Sequence, residues 1–178
     1  MAINFSKSLE ITKEKTKVLI LSAYSSPKST EKTVEKKAEG KLYELKSFLE
    51  GKGFTQTRLV KDWMDEKEVP EGQYDIHFRN KSFFYMRNWA DILVFVFFEK
   101  CTNFSVIREW GHMVDVLSSK ISQSVILRHE NIDLGCLIRG DIKDNRVFEA
   151  KFSNDESDLH DCAFSGCISV LYRLQRKR

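Results

Sequence analysis

At 178 residues, 42% hydrophobic and 31% charged, the chain can fill one good-sized core, and this balance excludes a disordered protein. A formal net charge of +3, spread over interspersed Lys, Arg, Asp and Glu, carries no strong nucleic-acid signal. The longest apolar run, "ADILVFVFF", has about nine residues where a bilayer span needs roughly 20, so no membrane association is expected.

Residues 1–16 hold neither an apolar signal core nor a cleavage pattern, and they read as a lead-in to a cytoplasmic protein. From residue 17 to 178 the chain reads as a single domain, without linker, repeat or low-complexity tract. "KVLILSA" (17–23) is short, apolar and rich in β-formers, the pattern of a buried strand. The turn-rich "YSSPKST" follows, with Ser29 or Thr30 as possible helix caps, and then a helix presenting Leu42, Leu45, Phe48 and Leu49 at helical spacing. "FTQTRLV" (54–60) reads as a second strand. "DWMDEKEVPEGQ" reads as a polar loop. Residues 74–89 fit a helix with Ile76, Phe83, Phe84, Met86 and Trp89 as its apolar face.

"DILVFVFF" is apolar throughout rather than alternating, as a parallel strand covered on both faces must be. A helix over 105–119 is expected next, with Val106, Ile107, Trp110, Met113, Val114 and Leu117 inward, and then a fourth strand, "QSVILRH". "LGCLIRGDI" is ambiguous. "RVFEAKF" reads as a strand, and a helix from Glu156 to Leu174 closes the chain, with the basic end "RLQRKR" as a solvated tail. Alternation of strand and helix predicts an α/β fold: a mainly parallel sheet of about five strands flanked by helices, with Rossmann-like or flavodoxin-like layering. Ligands of such sheets sit beyond the carboxyl ends of the strands, where strand order reverses. The loops after Ala23, Val60 and Phe98 are therefore the places to search.

The first of these loops, with its serines, Tyr24 and Lys28, leads into a helix and could hold a phosphate on backbone N–H groups, although it lacks both glycine fingerprints of nucleotide loops. Ser22, Tyr24 and Ser25 are candidate substrate contacts there. In the second loop, Trp63, beside Asp62 and Asp65, offers a surface on which a base could stack. The third loop leads to the sharpest feature. Glu109 falls 18 residues after Asp91, about one turn into the helix, with Asn103 and Ser105 before it and Gly111 after it. Glycine inside a helix costs up to about 1 kcal/mol, which points to a close approach at Gly111. His77 and His112 are the histidines that could titrate as acids.

The cysteines Cys101, Cys136, Cys162 and Cys167 form no C-x-x-C pair, and a reducing compartment favours free thiols. His160, Cys162 and Cys167 lack a fourth ligand and the tight spacing of a zinc site. No metal and no cofactor are expected.

The succession strand, serine-rich loop, helix, strand, helix, "ADILVFVF", "N-x-S-x-x-x-E-x-G", "SVIL" resembles the nucleoside 2-deoxyribosyltransferase-like superfamily over residues 17–128, leaving 129–178 as an elaboration. The family's D-x-G-x-x-x-E-x-G-x-A segment corresponds to Asn103, Ser105, Glu109, Gly111 and Met113. The resemblance implies a glycosidic enzyme in which Glu109 attacks the anomeric carbon of a small-molecule nucleoside or nucleotide, and base or water resolves the glycosyl-enzyme. The chain departs from the family at several places. An aspartate on the preceding helix falls at Ser82 or Phe83, the base-contacting aspartate is Asn103, the glycine after it is Ser105, and a tyrosine of the first strand is Ile20, with Tyr24 nearby as a substitute. These departures suit a hydrolase of nucleotides or NAD-like molecules. A TIR-like NAD hydrolase, or a binding module without turnover, is the alternative. The aromatic content, 13 Phe among it, would suit a homo-oligomer whose neighbour completes the pocket.

Overall fold

In a computed structural model of the chain, residues 5–24, 34–65, 69–70, 72–153 and 155–176 are described. Each long apolar run of the sequence is a strand: β1 (Lys17–Ser22), β3 (Ile92–Phe97) and β4 (Ser124–His129) form the sheet's centre, with the shorter β2 (Gln56–Leu59) and β5 (Phe148–Phe152) at its edges. The order is β2-β1-β3-β4-β5, and every pairing is parallel. This is a flavodoxin-like arrangement.

Period-two alternation sends neighbouring residues to opposite faces. Val18, Ile20, Ile92, Val94, Val96, Val125 and Leu127 pack under α2 (Val34–Gly51) and α6 (Glu156–Arg176). Leu19, Leu21, Leu93, Phe95, Phe97 and Ile126 pack under α3 (Tyr74–Asn88) and α4 (Phe104–Val116), with Ile142 of α5 (Gly135–Asp144) joining them. Burial on both faces is why β1 and β3 read as unbroken apolar runs. The edges are polar: on β5, Glu149 receives the Arg128 guanidinium at 2.6 Å, a charge that discourages pairing with another sheet.

Several elements differ from the sequence reading. Residues 1–16 are not a plain lead-in, because Phe5–Lys15 form a helix, α1, whose Leu9 joins the core under α2 and α6. "LGCLIRGDI" is α5, a helix in which only Ile142 is buried. The helix after β3 stops at Val116, and Ser118–Gln123 form a 3-10 turn. The basic end is helical as far as Arg176, with Arg173 donating to the Arg146 carbonyl at 2.8 Å and Gln175 to the Thr12 hydroxyl at 3.3 Å. The inner face of α3 is also displaced. Ile76 and Phe84 are exposed, at 53% and 58%, while Ser82 and Met86 are buried. That face carries a hydroxyl at its centre, so counting apolar residues misplaced it.

The end of the sheet away from the ligand loops is tied down by polar contacts. Asp91 accepts the Lys17 N–H at 3.0 Å and donates its own N–H to the Lys17 carbonyl at 2.8 Å, which fastens β1 to β3. Lys120, in the turn after α4, donates to the carbonyls of Met86 and Ala90 at the end of α3, at 2.8 and 2.6 Å. A cation there satisfies orphan carbonyls and complements the negative end of the helix. Among the described residues, no helix is long and apolar enough to cross a membrane.

Candidate active site

From β1 the chain crosses to β2 on one side of the sheet. From β3 it proceeds to β4 on the other, so strand order reverses between β1 and β3. A cleft of about 430 Å³ opens there, at the carboxyl ends of the strands, as the rule for such sheets requires. Tyr24, just past β1, forms one wall. The first turns of α4 supply Phe104, Ser105, Arg108 and Glu109, and the facing stretch of α3 supplies Asp75, Phe78, Arg79 and Phe83, among others.

Glu109 belongs to the inward stripe of α4: Val106, Glu109, Trp110 and Met113 are its buried residues, at the three- and four-residue spacing of a core face. Ile107, expected inward, is 43% exposed, so a carboxylate occupies a place in the stripe that periodicity would give to an apolar side chain. Glu109 is 4% exposed. Its Oε1 accepts the Ser82 hydroxyl of α3 at 2.5 Å, and its Oε2 is buried without a partner. Burial pushes its pKa up to about 8, the Ser82 hydrogen bond opposing the shift. An uncommitted buried carboxylate oxygen costs stability, of order 1–3 kcal/mol or more, and such an atom calls for a functional explanation.

Tyr24 completes the wall, but its hydroxyl donates to the Ile20 carbonyl at 2.7 Å and its ring lies 5.0 Å from that of Phe78. Burial, and then the charge of Glu109, hold its phenol well above the usual range, so it is a neutral wall rather than a base. Ser105 sits at the mouth, its hydroxyl 3.4 Å from the Ser22 carbonyl.

Of the residues expected at the site, Glu109, Tyr24 and Ser105 line the cleft together. The others lie elsewhere. Ser22 is fully buried and donates to the Val96 carbonyl at 2.7 Å, bridging β1 and β3. Trp63 stacks on Tyr85 at 3.7 Å and meets Trp89 edge-on, in a separate aromatic group against the core. Asp62 accepts from Lys46 and from the Leu59 N–H, holding the turn after β2. Asn103 precedes α4 and donates to the Phe98 carbonyl at 3.1 Å, bracing the loop, while its Oδ1 is buried without a partner. His112 stacks on Phe83 at 3.8 Å, and burial lowers its pKa. Ser25, Lys28, Ser29 and Thr30 lie outside the described residues.

Gly111 does not mark a close approach: apart from its chain neighbours and the adjoining backbone of α4, no atom lies within 4 Å of where a β-carbon would sit. Gly111→Ala is therefore expected to be accommodated and to stabilise α4 by up to about 1 kcal/mol, measurable as a small rise in the urea midpoint. A fall in the midpoint would show that the position is more crowded than this geometry allows.

On α3 the resemblance singles out Ser82 or Phe83, and only as the place of a missing aspartate; it does not reach Asp75 or Arg79. Asp75, Arg79, Ser82 and Phe83 recur at positions i, i+4, i+7 and i+8, which places them on one side of the helix. That spacing was visible, but only the fold brings this side against α4. Among the described residues no group of three His, Cys, Asp or Glu is placed to hold a metal ion. Compared with protein-family models, with curated proteins and with solved structures, the chain matches none of them.

Proposed function

We propose that the protein is an N-glycosidic enzyme acting on a nucleoside, nucleotide or NAD-like molecule, with the Glu109 carboxylate as nucleophile. The observation that carries this reading is the buried, uncommitted Oε2 of Glu109 in an aromatic-walled cleft at the point where strand order reverses. The site resembles in kind what cleavage of a glycosidic bond requires. The sugar develops positive charge at its anomeric carbon, and an anion fixed beside that carbon stabilises it before bonding to it.

In the first step the bond between anomeric carbon and base nitrogen breaks, its electron pair leaving on the base, and a bond from Oε2 to the anomeric carbon forms. Water then attacks that carbon and frees the carboxylate. Overall, one water is divided between a new sugar hydroxyl and the N–H of the departing base. The departing base takes its proton from water. A pyridinium base, as in an NAD-like substrate, departs neutral and needs none. Ser82 keeps Oε1 engaged and so aims Oε2.

Base release from a panel of nucleosides, 5′-nucleotides and NAD tests the reading. Wild type is expected to release base, and Glu109→Ala and Glu109→Gln to lose at least 10³-fold, the scale of an essential group. Because the nucleophile must be ionised, the rate should climb with pH and level off above about 8. A rate that falls through the same range would make Glu109 an acid instead. The second reading, a nucleotide-binding module without turnover, is favoured by the same pKa, which keeps Glu109 largely protonated at neutral pH. Melting-temperature shifts with ligand, but no base release from any substrate, would select it.

A further inference from the structure

We infer that Arg79 and Arg108 form an anion clamp at the cleft, and that the ligand is a phosphorylated nucleotide rather than a neutral nucleoside. The inference rests on the glycosidic reading for the identity of the sugar and base, and on separate observations for the charge. Both guanidiniums line the cleft, one from α3 and one from α4. Among the described residues neither is held by a carboxylate: Arg79 has one long contact, to the Asn80 side chain at 3.4 Å, and Arg108 has no ion pair. Some basic side chains elsewhere do have such partners, as Lys46 has Asp62, Lys61 has Glu39, Arg128 has Glu149 and Arg139 has Asp133. Arg87, Arg146, Arg173 and Arg176 also have no ion pair among the described residues, but Arg79 and Arg108 are the two that face one another across a single cleft.

Their position relative to Glu109 fits a nucleotide. Arg108 is the residue before Glu109, and Arg79 lies three residues before Ser82, which touches Glu109. Three residues of helix rise about 4.5 Å, so Arg79 stands roughly one turn from the carboxylate, on the side of the cleft mouth. A phosphate ester at the 5′ position of a pentose is separated from the anomeric carbon by the ring and one methylene, a span of the same order. Guanidinium forks match phosphate oxygens in shape as well as charge. They also offset the repulsion between a phosphate dianion and a carboxylate in one cleft, which a site for neutral nucleosides would not need. Phe104, 78% exposed at the same mouth, and Phe78 and Phe83 leave aromatic surface for the base.

Two measurements test the clamp. Equilibrium titration calorimetry with ribose 5-phosphate and with ribose reads anion recognition without any turnover. Ribose 5-phosphate should bind at least about 10-fold more tightly than ribose, and Arg79→Gln and Arg108→Gln should each reduce that preference by about 10-fold. Base release from matched pairs of nucleoside and 5′-monophosphate should favour the nucleotide in kcat/KM, with both variants acting mainly through KM. Circular dichroism should find both variants folded, since Arg108 is exposed and Arg79 half-buried. If ribose and its phosphate bind alike, or if the variants keep the preference, the clamp is overturned even where nucleosides are cleaved. If the phosphate preference holds but no substrate loses its base, the clamp stands and the glycosidic reading fails.

Discussion

Glu109→Gln is expected to melt at a higher temperature than wild type at pH 8, by a margin that shrinks as the pH falls. In the unfolded chain the carboxyl titrates near its ordinary 4.5, while in the folded protein burial holds it near 8. Between those values the unfolded chain loses its proton and the folded one keeps it, so raising the pH favours unfolding. The penalty is absent below about pH 4.5, grows by about 1.4 kcal/mol per pH unit, and is complete above about pH 8.

Glutamine keeps the shape and the oxygen that accepts from Ser82, but it has no charge to desolvate. A gain of about 2–4 kcal/mol at pH 8 is reasonable once relaxation of the site is allowed for. In a chain of this length that corresponds to roughly 5–15 °C. Thermal unfolding of both proteins from pH 5 to pH 8.5 gives the comparison, and two parallel stability curves would refute the burial argument. The same substitution removes the proposed nucleophile, so stability and activity should move in opposite directions.

Gly166→Ala is expected to be among the most damaging single-methyl additions in the protein. Gly166 lies in α6 where the helix meets β4 and β5, and an added β-carbon would stand 2.5 Å from Val125 Cγ1 and 3.0 Å from Phe148 Cδ1. Val125, the second residue of β4, is fully buried, so relief requires moving the helix or the sheet. Overpacking of this kind costs about 1–3 kcal/mol, against a small helix-propensity gain of up to about 1 kcal/mol. The net loss should appear as a lower urea midpoint with an unchanged slope. Gly166→Val should lose more. Tolerance of valine there would mean that α6 sits further from the sheet than these distances state.

The contrast between Gly111 and Gly166 shows what the sequence can and cannot convey. Both glycines interrupt helices, and local pattern singled out Gly111 because it stands beside Glu109. Which glycine is pressed against another element depends on packing, and packing assigns that role to Gly166. The central strands were readable because burial on both faces leaves unbroken apolar runs. α5 was not, because it commits little more than Ile142 to the core, and in α1 the described apolar contact is that of Leu9. Glu109 itself was legible from its place after the central strand. Ser82 was marked by the resemblance only as the place of a missing aspartate, and its hydrogen bond to Glu109, like the meeting of the charged side of α3 with α4, is made by the fold. Trp63 looked like a stacking surface because it is a large aromatic in a loop, and its preference for Tyr85 and Trp89 is invisible along the chain.

The pair of hydrogen bonds from Lys120 to the last carbonyls of α3 has a mechanical consequence for the cleft. Both α3 and α4 run antiparallel to the strands, so their final turns lie together at the end of the sheet remote from the ligand loops, and Lys120 rivets them there. Any widening between the two helices would take the form of a pivot about that rivet. Displacement under a pivot grows with the length of the lever. Arg79 and Phe104 near the mouth would therefore swing further than Ser82 and Glu109, which stand closer to the rivet.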